Sequence, residues 1–490
     1  MLSSLLVLVL SQLSQYSISS SCSHSQASSN LAIWVIPTWW TARSHQLCSP
    51  AKSAEPFPHT RANGTQQAAG DDPDFIVSRH WGNLSPMFSL PSNTFGIKTG
   101  PETPHGCSID QLHLLHRHGA RYPTEDTLLP KFGKLIHNAQ DNGTFQATGD
   151  LRSEVLTPFG RSQMFQLGVS YRQKYGFLLP TDPDAQPHDS ETAKKPVFRT
   201  TTQHRMYHSA LNFAAGFFGL PVEKKYHQSI IIENIGFNNS LAPYLSCPNS
   251  QLPKRANLGP KLLKFGKINT MQSLCAYESV AFGRSEFCNL FTPDEWKDFV
   301  YANDLDFWYS SSFGNPDSAA LGAGWTEELL ARLTQIAPSV GKTSINITLD
   351  ADPVTFPLDQ SIYVDATHDT VITAVVVALN LTSLAHSGPL PTDRRLEPRS
   401  FTSTHIAPDR FVSFGAQLAA QVLSCPIAPG SSSTSKSIRF ILNDAVIPLD
   451  GLQGCEPNLN TGQCDLDNFI TGLETRLSEI DYQQTCFGTP

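Results

Sequence analysis

The chain carries, at positions 117 to 124, the stretch Arg117-His118-Gly119-Ala120-Arg121-Tyr122-Pro123-Thr124. An imidazole titrates near neutral pH, so part of His118 is unprotonated in mildly acidic water and can attack without a strong base. Arg117 and Arg121 stay charged at any working pH, and their forked donors match the oxygens of a phosphate group. Gly119 lets the backbone approach an anion closely, and Pro123 stiffens the end of the loop. These residue types at this spacing predict a phosphate site with its own nucleophile.

Short apolar runs alternate with helical patterns on both sides of this stretch. The alternation predicts an α/β fold, with a largely parallel sheet flanked by helices. We expect strands at 111–116, 196–199, 361–366 and 439–442, and helices at 202–218 and 370–379. Because ligands collect at the carboxyl ends of parallel strands, Arg117, His118, Arg199, His368 and Asp369 are expected to converge there.

The motif also resembles a known signature. RHGxRxP is similar to the signature of the histidine acid phosphatases, and the longer string RHGARYPT resembles the phytase branch of that family. The likeness extends from about Trp81 to the last cysteine. Its further segments follow in family order: WGNLSP at 81–86, LTPFG at 156–160, FRTT at 198–201, HD at 368–369 and LNDAV at 442–446.

The resemblance implies a role for each site residue. His118 would attack phosphorus and form a covalent phosphohistidine, and Asp369 would protonate the leaving alkoxide and later activate water. The phosphate oxygens would be bound by Arg117, Arg121, Thr124, Arg199 and His368. The case for Arg199 rests on its position at the end of a strand and on the family's arginine motif, whereas Arg205 is interpreted as a surface residue.

Asp369 has a second interpretation. It lies where the helix at 370–379 begins, and Asp is favoured as an N-cap. Both roles are compatible, but the helix dipole would favour the charged carboxylate and oppose its role as a proton donor.

The spacing His113-x-x-His116-x-His118 raises the question of a metal. On a strand, His116 and His118 would share a face and His113 would not. No nearby carboxylate or cysteine set completes a coordination sphere. We therefore expect no metal and no other cofactor, since a covalent histidine mechanism needs none.

The ten cysteines favour disulfides. Setting aside Cys22 and Cys48 leaves eight, which permit about 105 pairings by themselves. The resemblance narrows these to Cys107–Cys425, Cys247–Cys486, Cys275–Cys288 and Cys455–Cys464. A zinc site is the poorer interpretation, because no paired C-x-x-C spacing occurs.

Several features favour a secreted, extracellular glycoprotein. Residues 1–20 hold a short apolar run typical of a signal peptide, and residues 21–71 have the composition of a disordered leader. No segment is long enough to span a membrane. N-glycosylation triplets begin at Asn63, Asn83, Asn142, Asn238, Asn346 and Asn380.

Length alone suggests roughly three domain-sized units. We expect one folded histidine phosphatase domain at 72–490, with an α/β core at about 72–238 and 340–490. The resemblance implies a mostly helical cap at about 239–339. The net charge of −8, with no long basic block, argues against nucleic acid as the main partner. The motif and the resemblance predict a small phosphate ester as the substrate.

The resemblance implies phytate as the substrate, but two features limit that inference. Fungal phytases generally carry His-Asp-Asn where this chain has His368-Asp369-Thr370. A substrate with six phosphates also benefits from extra cations around the pocket. The lysines that could supply them are slightly more compatible with solvated surface positions; they are Lys131, Lys134, Lys194 and Lys195.

The alternatives are a broad acid phosphatase acting on smaller esters, a phosphoryl mutase, and a non-catalytic secreted binding protein. Export and disulfides argue against a mutase. A binding protein would be expected to have lost His118 or Asp369, and this chain has both.

Overall fold

The computed structural model describes residues 75–124, 129, 153–179, 195–252, 267–385, 389–392, 394–396, 412–428, 431–456 and 458–489. Several predicted features lie outside these residues: the signal peptide at 1–20, the leader at 21–71, the glycosylation sites Asn63 and Asn142, and the lysines Lys131, Lys134 and Lys194.

A single mixed sheet organises the described residues. Its strands are β1 (Ser108–Arg117), β2 (Val197–Thr201), β3 (His227–Ile231), β4 (Ile362–Thr367), β5 (Gln417–Pro426), β6 (Thr434–Leu442), β7 (Ala445–Ile447) and β8 (Cys464–Asp465). They follow the order β3-β2-β4-β1-β5-β6-β7, and β8 pairs with β6.

One half of the sheet is parallel and the other antiparallel. β3, β2, β4 and β1 pair in parallel, whereas β5, β6, β7 and β8 join by antiparallel pairing. The predicted α/β fold, with strands that run mostly in one direction between helices, is confirmed. The antiparallel half was not predicted; only seven residues separate β5 from β6, too few for a parallel crossover.

The described residues also form nine α-helices. They are α1 (Pro158–Tyr175), α2 (His204–Phe218), α3 (Lys267–Phe282), α4 (Pro293–Ser311), α5 (Ser318–Thr334), α6 (Ile347–Asp350), α7 (Asp369–Ala378), α8 (Leu466–Glu479) and α9 (Tyr482–Phe487). The predicted helices at 202–218 and 370–379 correspond to α2, which begins two residues later, and to α7, which lies one residue earlier.

The sheet is buried on both faces because successive side chains of a strand point to opposite sides. In β1, Leu114 packs in the apolar cluster that includes Met164 of α1 and Phe213 of α2. Its neighbour Leu115 packs in the opposite cluster with Val375 of α7. The core therefore has three layers, with helices on both faces of the sheet.

The predicted cap at 239–339 is helical in its described part, which contains α3, α4 and α5. However, α5 packs closely along α7, and a Cβ atom on Gly322 would overlap the backbone carbonyl of Ala374. The last helix of the predicted cap therefore belongs to the layer that covers the sheet.

The four predicted disulfides are all formed: Cys107–Cys425, Cys247–Cys486, Cys275–Cys288 and Cys455–Cys464. The first connects residues 318 positions apart and ties the start of β1 to the end of β5. None of the described helices combines the length and apolar character needed to cross a bilayer.

Candidate active site

The site forms where β1, β2 and β4 end. Arg117, the last residue of β1, lies beside Thr367, the last residue of β4. The next residue, His118, donates its backbone N–H to the carbonyl of Thr367 at 3.1 Å. Because these strands are parallel, the residues that follow them, including His368 and Asp369, meet at one edge of the sheet. The predicted convergence of His118, His368 and Asp369 is therefore present in the structure.

His118 is held in the form that a nucleophile requires. Its Nδ1 lies 2.8 Å from the carbonyl oxygen of Gly119. A carbonyl only accepts hydrogen bonds, so Nδ1 carries the proton and Nε2 keeps its lone pair. Burial, followed by the positive charges of Arg117, Arg205 and Arg121, holds the pKa of His118 well below its usual value. The imidazole is therefore neutral and nucleophilic.

The loop after His118 is fastened to two helices. The backbone N–H of Gly119 donates to the hydroxyl of Ser209 in α2 at 3.1 Å, and that of Ala120 donates to the side-chain carbonyl of Gln163 in α1 at 3.1 Å. A Cβ atom on Gly119 would overlap the carbonyl oxygen of Gly160, so the close approach to α1 requires glycine at position 119.

Arg117 is fully buried beside the nucleophile. Its Nη1 donates to the carbonyl of Val412 at 2.6 Å and to that of Asn83, and its guanidinium lies 4.5 Å from the ring centre of Phe414. Burial lowers the pKa of Arg117 to about 10, although Asp369 acts in the opposite direction. The guanidinium therefore stays charged at neutral and acidic pH.

Arg121 and Arg205 complete the positive charge around His118. Arg121 donates to the hydroxyl of Tyr277 at 3.2 Å, and Arg205 is paired with Glu154. Burial, and then the charge of Arg121, lowers the pKa of Arg205. These cations are close enough to depress the pKa of His118, and they could stabilise the charge of a phosphate group.

Arg199 does not belong to this cluster. It lies within β2, 3% exposed, with its Nε 2.7 Å from Asp365 and its Nη2 2.5 Å from Glu328. Arg332 binds the same Asp365 at 2.8 Å. These contacts contradict the predicted phosphate-binding role of Arg199, because two buried carboxylates already bind its Nε and Nη2.

Arg205 takes the position that the sequence interpretation gave to Arg199. The prediction that Arg205 is a surface residue was wrong, since it is only 8% exposed. The signal was available: Arg205 is the second residue of the helix that begins at the carboxyl end of β2. The first turn of such a helix lies at the ligand-binding edge of the sheet.

Asp369 is an ionised carboxylate in the free protein. Its Oδ2 lies 2.7 Å from Nη2 of Arg117 and accepts a hydrogen bond from Nδ2 of Asn83 at 3.1 Å, while Oδ1 accepts from the backbone of Thr370 at 2.9 Å. Burial alone would raise the pKa of Asp369, but Arg117 and the hydrogen bond from Asn83 outweigh it and lower that pKa. The N-cap of α7 is His368, one residue before the predicted one.

Asn83 was predicted to carry a glycan. Its side-chain nitrogen instead donates to Asp369. A sugar would be attached to that same nitrogen, beside the carboxyl group of Asp369, so this contact argues against a glycan at Asn83. Asn83 belongs to the segment at 81–86 that carries part of the family resemblance, and this was the signal for a place in the site. The triplets at Asn238, Asn346 and Asn380 lie away from these contacts, and Nδ2 of Asn380 donates to the carbonyl of Gly451 at 2.6 Å.

His368 is held by a carboxylate that the sequence analysis missed. Its Nε2 lies 3.1 Å from both carboxylate oxygens of Glu233, which also accepts from the hydroxyls of Tyr244, at 2.9 Å, and of Thr201. Burial raises the pKa of Glu233, but the charge of His368 and these hydrogen bonds outweigh it and lower that pKa to about 2. The ring of His368 meets that of His118 edge-on, with centres 5.8 Å apart.

Glu233 could have been found from its place in the sequence. It follows the last residue of β3, Ile231, by two positions. A charged residue two positions after a parallel strand lies at the same edge of the sheet as the other site residues.

Two other predicted contributors are less well connected to the site. Thr124 is half-buried, and its part in binding phosphate stays a prediction. Lys195 precedes β2, whereas the site lies at the carboxyl end of that strand. The strand's five residues span roughly 16 Å, so Lys195 lies at the opposite edge of the sheet.

The remaining histidines of β1 are buried in the core. His113 stacks on Tyr363 with ring centres 4.8 Å apart, and burial followed by the charge of Arg332 lowers its pKa to about 3. His116 stacks on Phe213, and burial lowers its pKa to about 4. The described residues contain no group of three or more His, Cys, Asp or Glu side chains arranged to hold a metal ion.

Known proteins share sequence and fold with most of this chain. The profile of the histidine phosphatase superfamily (branch 2) matches residues 108–261 and 254–443. The chain therefore belongs to the histidine phosphatase superfamily, branch 2.

Among its curated relatives is Phytase A of Aspergillus oryzae, 30% identical over 449 residues that cover 81% of this chain and 88% of that protein. Phytase A of Penicillium oxalicum is 30% identical over 443 residues, covering 81% and 89% of the two chains.

Solved structures share the fold. The crystal structure of the phytase from D. castellii matches with a TM-score of 0.62 at 22% identity, covering 85% of this chain and 88% of that one. The apo form of the Bifidobacterium longum multiple inositol polyphosphate phosphatase matches with a TM-score of 0.51 at 11% identity, covering 79% and 96%.

Proposed function

We propose that the protein is an acid phosphatase that hydrolyses phosphate monoesters through a phosphohistidine at His118. The observation that carries the proposal is a neutral imidazole, with Nε2 unprotonated, among the charges of Arg117, Arg121 and Arg205 and close to Asp369. An arrangement of this kind attracts a phosphate dianion and offers it a nucleophile that needs no further deprotonation.

The first step breaks the ester bond. Nε2 of His118 attacks phosphorus and forms a P–N bond, while the P–O bond to the alcohol breaks and Asp369 gives its proton to the leaving oxygen. The arginines neutralise the charge that spreads over the remaining phosphate oxygens. His368, held by Glu233, is a further donor to those oxygens.

The second step releases phosphate. Water attacks phosphorus, Asp369 takes up the proton of that water, and the P–N bond breaks to return neutral His118. Asp369 ends this step protonated, ready for the next substrate. No metal and no other cofactor enters either step.

The low pKa of Asp369 in the free protein bears on its role as an acid. Arg117 is the main group that holds this pKa down. A bound phosphate group competes for the charge of Arg117 and adds negative charge beside the carboxylate, and both effects raise the pKa of Asp369. Substrate binding thus favours protonation of the acid, most readily in an acidic medium.

Phytate is the proposed natural substrate, because the relatives that cover most of the chain are phytases. A broad acid phosphatase acting on smaller esters is the second candidate. It is favoured by the position of Lys195, which lies at the edge of the sheet away from the site and adds no cation there.

We further propose that the protein is secreted, with a signal peptide at 1–20, a leader at 21–71 and one catalytic domain at 72–490. The four disulfides support an oxidising compartment. The exposed Asn238 is suited to carry a glycan. The net charge of −8 disfavours nucleic acid as a partner. The protein can still bind a small anionic ester, because cations are concentrated at the site.

The test is phosphate release at pH 4.5 with chelator present, from phytate and from 4-nitrophenyl phosphate. Release from both supports the proposed function, and release from the aryl ester alone favours the second candidate. His118→Ala should lower turnover by roughly 10⁴-fold or more. The matched control is His227→Ala, which alters an exposed histidine at the amino end of β3. An active His118→Ala protein would refute the mechanism.

A further inference from the structure

An acidic side chain of α4, Asp306, lies on the face of the helix that borders the site. Asn303, Asp306 and Ser310 are spaced three and four residues apart, so they line one face of α4. The side chain of Asn303 lies against Gly82, the residue before Asn83. Ser310 lines the same cavity as Thr370, the residue after Asp369. Asp306 lies between these two contacts and therefore faces Asp369.

The charge of Asp306 depends on pH. The side chain of Asp306 is exposed at the surface of α4. The protein around it reduces the hydration of its carboxyl group, and this effect, followed by the negative charge of Asp369, raises the pKa of Asp306 to about 6. Within the described residues no cation pairs with Asp306, so nothing there neutralises it once it is ionised.

The elements packed against this part of α4 offer few other charges. Asp369 is the charged group of α7. In the turn Val77–His80, the guanidinium of Arg79 lies over the ring of Phe88, and His80 bonds to the backbone carbonyl of Ile76. The turn Gly82–Leu84 has no titratable side chain.

The other acidic side chains near Asp306 are hydrogen-bonded, ion-paired or buried. On α3, Glu278 accepts a hydrogen bond from Ser285 at 2.7 Å. On α4 itself, Asp294 and Asp298 pair with Arg395 at the start of the helix. Asp304 is buried.

A cavity of about 300 Å³ adjoins Asp306 through Ser310. Its lining in the described part of the chain is uncharged and includes Tyr244, Ser311, Thr370 and Val371. Tyr244 and Thr370 also touch the site, since Tyr244 donates to Glu233 and Thr370 to Asp369. The cavity is therefore placed to receive the alcohol portion of an ester.

The two sides of the site thus differ in charge. The arginines surround the phosphate to be cleaved, whereas Asp306 and a neutral cavity face the side from which Asp369 would protonate the leaving group. Resting on the proposed function, we propose that Asp306 is a specificity-determining residue. When ionised, its carboxylate disfavours esters whose leaving alcohol carries further phosphates, so that turnover of phytate is favoured in acid.

The test compares kcat/KM for phytate with kcat/KM for 4-nitrophenyl phosphate, whose leaving group carries no phosphate, at pH 4.5 and pH 7. The ratio of the two values is measured for the wild-type protein and for Asp306→Asn. Dividing the variant's ratio by that of the wild type removes the ionisation of the substrates themselves. The matched control is Asp298→Asn, the same charge change on the same helix about 12 Å away along its axis.

At pH 4.5 the ratio for Asp306→Asn should equal the ratio for the wild type, because Asp306 is mostly protonated. At pH 7 the ratio for Asp306→Asn should be about three- to tenfold higher than that for the wild type, because the variant lacks the carboxylate that repels the phosphates of phytate. Asp306→Glu should keep the wild-type pH dependence, and Asp298→Asn should leave the ratio unchanged.

Equal ratios for Asp306→Asn and wild type at pH 7 would overturn the inference while leaving the phosphatase activity intact. A wild-type protein that released phosphate from neither ester would instead contradict the proposed function, and the inference with it. Unchanged thermal melting of the variants separates both results from misfolding.

Discussion

Nη2 of Arg117 lies 2.7 Å from Oδ2 of Asp369, so the cation that precedes the nucleophile is paired with the carboxyl group proposed to protonate the leaving group. The pair joins the end of β1 to the start of α7. It explains why Asp369 is ionised before substrate arrives, and why a bound phosphate changes its pKa.

The role of Asp369 as an acid predicts a dependence on the leaving group. Asp369→Asn should lower the first turnover of phytate by about 10²- to 10⁴-fold, because an alkoxide leaves poorly without a proton. The first turnover of 4-nitrophenyl phosphate should fall much less, since nitrophenolate leaves unprotonated. Rapid-quench measurement of one turnover with each ester checks this. An equal loss with both esters would argue against the assignment.

The two arginines near β2 should respond differently to substitution. Arg205→Ala should lower kcat/KM by roughly 10- to 10³-fold with little change in the midpoint of urea unfolding, because it removes a charge beside His118. Arg199→Ala should destabilise the protein by about 3–5 kcal/mol, because it leaves the buried Glu328 without its cation and leaves Asp365 with Arg332 alone. A stable Arg199→Ala protein that had lost activity would restore the original assignment of Arg199.

Glu233 should act on catalysis through His368. Glu233→Gln keeps the shape but removes the charge that holds Nε2 of His368, so kcat should fall by about tenfold or more while the protein stays folded. Tyr244→Phe is the matched control, since it removes a neutral donor to the same carboxylate. If Glu233→Gln and Tyr244→Phe had the same small effect, the carboxylate would be structural only.

The same residue predicts a pH dependence of stability. The pKa of Glu233 is about 2 in the folded protein, below its usual value of 4.5. The carboxylate therefore stabilises the fold fully above pH 4.5, and this contribution is lost as the pH falls towards 2. Wild type should lose about 2–3 kcal/mol more than Glu233→Gln over this interval, measured by urea unfolding. Parallel curves for the two proteins would contradict the assignment.

Asn83 should be free of sugar in active protein. The nitrogen that would carry a glycan donates to Asp369, whereas Asn238 is exposed. Enzymatic deglycosylation in heavy-oxygen water, followed by peptide mass spectrometry, marks each asparagine that carried a glycan. We expect the mark at Asn238 and not at Asn83, and a marked Asn83 in the active fraction would place this side chain outside the catalytic site.

The sequence was sufficient for those features that depend on neighbours in the chain. The motif at 117–124 predicted that His118 lies beside the charges of Arg117 and Arg121, as it does in the structure. Apolar periodicity located β1, β2, β4, α2 and α7. The resemblance supplied the four cysteine pairs, which local spacing left open.

The tertiary structure decided which charges meet. Arg199 and Asp365 are 166 residues apart, and only the pairing of β2 with β4 brings them together. Asn83 reaches Asp369 across 286 residues, and Glu233 reaches His368 across 135. Local periodicity predicts where a strand ends and which face of it is buried. It does not predict which distant side chain neutralises a buried charge, because that depends on strand order and register, which are set by the packing of the whole core.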